Sequence, residues 1–320
     1  MASTCPHCGS PIRCQRRIDH LASKCMRGQE DNAYVLDFVG HFCKMVQGPN
    51  FHAIADLRHL RKEITESMAV VYELRSRLSN SHKPLIIDCC CGIGTSTALL
   101  AAAYGPPTAI LSIDNNASLL AQMKCFKLPH VELLVSDIHE AVPELQPRVE
   151  AAGHDHVCVV AIHACGLLGL GIIDLFVEAI RLGGTVHDAT LIIVPCCIPS
   201  AKVSSVAHEA STTGSDLYEC WCAKLCAEAA ALAGPFGAKC SWRRDKLIVS
   251  QRNAVVVATW SATVSAAESK VPDVHEIHPA PETAVPRERA HLAHRQAVKK
   301  ACAPKAVTAK RDENGNSGKR

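Results

Sequence analysis

The chain reads as an α/β protein built on a doubly wound, mostly parallel sheet, and three features of its 320 residues say so. Between residues 83 and 262, strand-length apolar runs alternate with helical stretches, the pattern of a parallel sheet covered on both faces. The first run, Leu85-Ile86-Ile87-Asp88, passes directly into the loop Cys89 to Gly94 and then into a helix. Near the end, two strand-like segments separated by a short turn predict an antiparallel hairpin that closes the sheet.

Residues 1–30 come first. The stretch CPHCGSPIRCQRRIDHLASKC is too short to bury a core, yet it gathers metal-ligating side chains. Cys5, Cys8, His20 and Cys25 give C-x2-C-x11-H-x4-C, three thiolates and one imidazole suited to a closed tetrahedral zinc site. Cys14 and His7 are spare candidates. Residues 31–82 predict a helical connector, because YVLDFVGHF and MAVVYELRSRL repeat apolar residues at three- and four-residue steps around a break at Gly48-Pro49.

The strands then predicted are Leu85 to Asp88, Ala109 to Asp114, Val131 to Ser136, Val157 to Ile162 and Leu191 to Val194, with a helix near Asp216 to Leu232. Cys240 to Val249 and Asn253 to Trp260 supply the hairpin. Residues 263–320 are rich in Ala, Pro, His and Lys without apolar periodicity, and read as a basic, mostly disordered tail.

Charge is segregated along the chain. The formal total is +3; residues 1–30 hold five Lys/Arg against two acids and residues 287–320 ten against three, which leaves −7 for the body between them. Basic ends around a mildly acidic body suit contact with a polyanion, although such tails also occur on proteins that bind none. The 18 cysteines follow no signal peptide, since Met1 to Arg17 is polar, so a reducing cytoplasmic or nuclear setting is expected. No apolar run approaches the roughly 20 residues that cross a bilayer, and no membrane span is expected.

The loop after the first strand carries D-x-x-x-G-x-G, with Asp88, Gly92 and Gly94 at the fixed positions and Cys90 and Thr95 beside them. Glycines there let the backbone approach a ligand and set helix-start N–H groups against it. Thr97 stands where a dinucleotide fingerprint has its third glycine. The second strand ends in Asp114-Asn115, where an acid can hold both ribose hydroxyls, and the third in Ser136-Asp137-Ile138, suited to an adenine amine. Singly, Asp88 could cap a turn and Asp114 could be a solvated strand end. Three such sites in order at three strand ends predict S-adenosylmethionine, and with it the seven-stranded, Rossmann-like sheet of a class I methyltransferase.

On the other side of the sheet, His163-Ala164-Cys165-Gly166 follows the fourth strand and Pro195-Cys196-Cys197 the fifth, both at carboxyl ends where open α/β sheets bind ligands. His163 borders the cofactor site and is a candidate to orient or deprotonate a hydroxyl, or else a buried histidine holding the loop. The cysteines suit packing better than a metal or thiol role. Lys246 and Arg252 are candidates to hold a neighbouring phosphate.

The H-x-C-G and P-C-C pair, with Arg252-Asn253 opening a late strand, resembles the family of the eukaryotic tRNA 2′-O-methyltransferase that modifies nucleotide four of the acceptor stem. His20-Leu21-Ala22-Ser23-Lys24-Cys25 is similar to the end of a zinc finger in that family. The resemblance implies S-adenosylmethionine-dependent methylation of an RNA ribose, with tRNA as partner and zinc as a structural ion. The chain departs from the pattern at Leu170, where the family has an acid and the nearest one here is Asp174, and at Ile198, where a histidine is usual. Two other readings stand beside it. One is a protein or small-molecule methyltransferase of the same fold. The other is a ubiquitin-binding adaptor with a degenerate methyltransferase domain, since the finger spacing also resembles ubiquitin-binding fingers; Arg13, Arg16, Arg17 and Lys24 favour RNA over it.

Overall fold

The computed structural model describes residues 3–4, 11–12, 32–38, 60–118, 130–164, 168–182, 186–198 and 200–262. The chain divides into Met1–Lys270 and Val271–Arg320, and every described residue falls in the first. Cys5, Cys8, His20 and Cys25 lie outside the described residues, as does the tail from residue 263. Next to them, Ser3–Thr4 and Pro11–Ile12 pair as a two-residue antiparallel ladder.

The sheet has seven strands: β1 (Pro84–Cys89), β2 (Ala109–Asp114), β3 (Val131–Val135), β4 (His156–Ile162), β5 (Asp188–Val194), β6 (Lys239–Arg244) and β7 (Ala254–Ser261). Their spatial order is β3-β2-β1-β4-β5-β7-β6. The first five run parallel, and β7 is antiparallel to both β5 and β6. Connections from β1 to β3 proceed one way along the sheet and the chain then returns to the other side of β1, which makes the carboxyl ends of β1 and β4 the switch point where such sheets bind ligands. This is the Rossmann-like methyltransferase arrangement with its closing hairpin.

Period-two alternation divides each central strand between two cores. Leu85, Ile87 and Cys89 of β1, Val157, Val159 and Ala161 of β4, and Leu191 and Ile193 of β5 face one core with helices α3 (Val142–Ala152), α4 (Leu168–Arg181) and α5 (Leu217–Ala233). Ile86, Cys158, Val160, Ile162, Ile192 and Val194 face the other, with α1 (Leu60–Arg77) and α2 (Thr95–Tyr104). Both faces are dry, so these strands are continuous apolar runs rather than alternating ones. The edge strands β3 and β6 are the exceptions; Val135 of β3 is 54% exposed, and β6 has no fully buried residue.

Two sequence expectations change. The strand read as Cys240 to Val249 stops at Arg244, because Asp245 turns the chain: its carboxylate accepts the Leu247 N–H at 2.9 Å and the Tyr34 hydroxyl at 2.6 Å. The connection to β7 is therefore a structured loop rather than a tight turn. The described parts of the stretch read as a connector also belong to the core. Residues 64–71 of α1 are all buried, Tyr34, Val35 and Phe38 pack with them, and α1 lies on α2 and crosses β4 and β5. The Tyr34 and Tyr72 rings sit 4.7 Å apart, and Asn32 Nδ2 donates to the Leu247 carbonyl at 2.8 Å.

Candidate active site

At the end of β1 the backbone enters the left-handed region three times in five residues: Cys90 at φ 57°, Gly92 at 56° and Gly94 at 82°. Glycine takes this conformation without cost, whereas Cys90 stores strain of about 1–3 kcal/mol, a feature that concentrates at binding loops. Gly94 caps α2, and Thr95, buried, is its first residue. The loop is tied to the next strand: the Cys91 N–H donates to the Ile113 carbonyl at 3.3 Å and the Gly92 N–H to Asp114 Oδ2 at 2.9 Å. A side chain built at Gly92 would meet only open space, so this stretch of backbone faces outward toward whatever occupies the switch point.

Asp88 lies fully buried beneath the loop. Its Oδ2 accepts the hydroxyls of Ser96 at 2.7 Å and Thr97 at 2.6 Å, and Thr97 continues to Ser112 at 2.9 Å. Thr97, in the place of a third glycine, is thus a strut between β1, β2 and α2. Burial pushes the Asp88 carboxyl up to about 6, against the two hydroxyl bonds that lower it. Asp88 Oδ1 is buried without a hydrogen-bond partner among the described residues. An orphaned, buried carboxylate oxygen costs free energy until a donor reaches it, so the donor set fits a ligand that brings a cationic amine.

Asp114 holds the Asn116 N–H with its Oδ1 at 2.9 Å, and Asn115 beside it is exposed. Asp137, at the end of β3, is half-buried and accepts the His139 N–H at 2.9 Å. Asp88, Asp114 and Asp137 thus follow one another across the carboxyl edge of β1, β2 and β3. The side chain of Ile138 packs into the core with Ala141 and Leu145, so any contact it makes with a ligand is through its backbone. His139 turns toward α4, where its ring would lie 2.5 Å from a β-carbon at Gly171, so a side chain there would require the His139 ring to move.

The substrate side differs from expectation at His163. This residue also sits at positive φ, 63°, and its N–H donates to the Val194 carbonyl at 3.2 Å, locking the end of β4 to β5. Its Nε2 lies 3.1 and 3.0 Å from the two oxygens of Glu63 and 3.0 Å from Glu66 Oε2. Burial opposes charge on the imidazole, but the two carboxylates outweigh it and raise the pKa to about 9. That shift favours the protonated imidazole, which fits a role in orienting a group or holding the loop better than one in removing a proton.

Neither acid was among the sequence candidates. Glu63 and Glu66 come from α1, 100 residues before His163, and the only hint was an E-x-x-E pair set within a helix whose neighbours are apolar.

The Pro195 carbonyl accepts the Tyr218 hydroxyl at 2.7 Å, and the Arg252 guanidinium donates to the Cys196 carbonyl. Arg252 thus braces the loop after β5, a structural duty in addition to any phosphate contact. Lys246 is exposed in the β6–β7 loop at the same end of the sheet. Cys165 and Gly166 lie outside the described residues. Leu170, at the departure from the family pattern, packs against the core. A cavity of about 330 Å³ opens at the opposite end of the strands, among Arg77, His156, Asp188, Lys239 and Trp260, and is remote from these groups.

Residues 60–204 match a family described as a methyltransferase domain, and the match begins at the first residue of α1. No curated protein matches the chain. Among solved structures, the plantazolicin methyltransferase BpumL in complex with SAH overlaps 78% of this chain and 98% of its own, at 13% identity and a TM-score of 0.39. A fibrillarin/Nop5p complex overlaps 62% and 82% at 10% identity and 0.40, and the 23S rRNA methyltransferase ErmE 60% and 67% at 13% and 0.35. Overlaps this loose add nothing to the sheet order. The family match and the strand order 3-2-1-4-5-7-6 agree: residues 60–204 carry a methyltransferase domain.

Proposed function

We propose that the chain is an S-adenosylmethionine-dependent RNA methyltransferase that modifies a ribose 2′-hydroxyl of tRNA. The observation that carries the cofactor half is the row of acids around the left-handed loop: Asp88 under it, Asp114 and Asp137 at the next two strand ends. Asp114 would hold the ribose hydroxyls, Asp137 the adenine amine, and the buried Oδ1 of Asp88 the ammonium group. Bound there, the cofactor supplies an electrophilic methyl group on a sulfonium. The residues of the chain orient the acceptor against it and exclude water, and positioning accounts for most of the rate. His163, fixed by its positive φ and by Glu63 and Glu66, forms a rigid wall at the end of β4.

The RNA half rests on the family resemblance, on the basic ends of the chain, and on Lys246 and Arg252 at the carboxyl edge of the sheet. Cys5, Cys8, His20 and Cys25 would hold structural zinc, with Arg13, Arg16, Arg17 and Lys24 as phosphate contacts. The test is incubation of the full chain with labelled S-adenosylmethionine and total RNA, followed by nucleotide mapping. Label in a tRNA ribose is expected. Label only in protein or in small molecules overturns the RNA reading, and no binding of the cofactor by calorimetry overturns the enzyme.

A further inference from the structure

The groups around His163 form a second constellation that the methyl-transfer reading does not use. Glu63 and Glu66 lie one turn apart on the same face of α1, and His163 is held opposite them. One nitrogen of one imidazole meets three carboxylate oxygens at 3.0–3.1 Å. A single N–H satisfies one of them. Glu66 is 1% exposed, and while its Oε2 pairs with the imidazole, its buried Oε1 has no hydrogen-bond partner among the described residues. Lys62 also reaches the group, with Nζ 3.2 Å from Glu66 Oε2 and 4.0 Å from Glu63 Oε1. It is a flexible, partly exposed side chain that can withdraw to solvent.

We propose that Glu63, Glu66 and His163 bind a divalent cation, of which Mn2+ is the best match. The ligand atoms lie within 4.8 Å of one another, close enough for one ion to reach all three. Two carboxylates and a neutral imidazole balance a dication, and oxygen donors with one nitrogen suit Mn2+ better than thiophilic metals. Binding displaces the imidazole proton to solvent and the Lys62 ammonium from Glu66. The buried carboxylate of Glu66, whose Oε1 hydrogen bonding leaves unpaired, becomes a ligand. Three protein donors leave positions for outer oxygens, and the ion sits at the carboxyl end of β4, on the substrate side of the switch point. Its use there, to lower the pKa of a coordinated hydroxyl, rests on the function proposed above; its binding does not.

Binding alone is therefore measured. Full-length protein carrying zinc, so that thiolate sites are filled, is freed of other ions and titrated with MnCl2, following loss of the free-ion electron paramagnetic resonance signal. The wild type is expected to take up one ion saturably. Glu66→Gln and His163→Asn are each expected to weaken binding about tenfold or more, while Glu178→Gln on the remote face of α4 leaves it unchanged. If Glu66→Gln fails to fold by circular dichroism, Glu63→Gln at a partly exposed position gives the same reading. Absence of saturable uptake, or an affinity that these ligand substitutions leave unchanged, overturns the proposal. Methyl-transfer activity without any Mn2+ uptake would leave the function standing and defeat the ion alone.

Discussion

The two halves of the sheet edge are assembled in opposite ways. On the cofactor side, Asp88, Gly92, Ser96, Thr97 and Asp114 all come from one strand-loop-helix-strand unit, and the bonds among them span at most 22 residues. On the substrate side the partners are remote: His163 and Glu63 are 100 residues apart, Arg252 and Cys196 are 56, and Tyr34 and Asp245 are 211. The first half is a local motif placed at a sheet edge. The second exists only once α1 and the 32–38 segment have packed, and so it depends on the stability of the whole core.

The sharpest way to break that contrast is Phe38→Ala. Phe38 is fully buried in the core shared by α1, α2 and the sheet, and its removal is expected to cost about 3–5 kcal/mol, read as a lower urea midpoint at unchanged slope. A change within about 0.5 kcal/mol would make residues 32–38 a passive connector after all.

Next in size is the pH dependence of Asp88. Its carboxyl is raised from 3.8 to about 6 by burial, so the folded state binds the proton more tightly than the unfolded chain does. The stabilising contribution is complete below about pH 4 and is lost as pH rises through 6, by up to about 3 kcal/mol. The stability of Asp88→Asn relative to the wild type should therefore climb by that amount between pH 4 and 7, in denaturation at each pH. A flat difference contradicts a buried, half-satisfied carboxyl.

Asp114→Ala removes both the acceptor for the Gly92 N–H and the partner for a ribose. Affinity for S-adenosylmethionine should fall about 30-fold, near 2 kcal/mol, by calorimetry. Unchanged affinity would separate the acid row from the cofactor. The smallest effect is expected at Arg252→Ala, about fivefold in RNA affinity with a salt slope reduced by about one. A lower thermal midpoint with RNA affinity and slope intact would confine Arg252 to bracing the Cys196 carbonyl.

Legibility followed the same division. β2 runs over Ala109–Asp114 as its short, mostly apolar run indicates, and β4 and β5 lengthen the apolar runs by only a few residues. The glycine loop was legible because two of its three positive-φ positions, Gly92 and Gly94, are glycines, whereas the strained Cys90 carried no such signal. The direction of the Ile138 side chain was not legible, since a residue next to an acid at a strand end can point outward or into the core, and only packing chooses. The Cys240 strand was read too long because Leu247, Ile248 and Val249 continue an apolar pattern that Asp245 interrupts through bonds to Leu247 and to distant Tyr34.

What the amino-acid order determined by itself is the doubly wound sheet, its closing hairpin and the loop at Asp88 to Gly94, for these rest on periodicity and on local backbone freedom. The tertiary structure decided what surrounds His163. A histidine's pKa depends on what surrounds it, and here burial and two carboxylates from a helix 100 residues away set that balance.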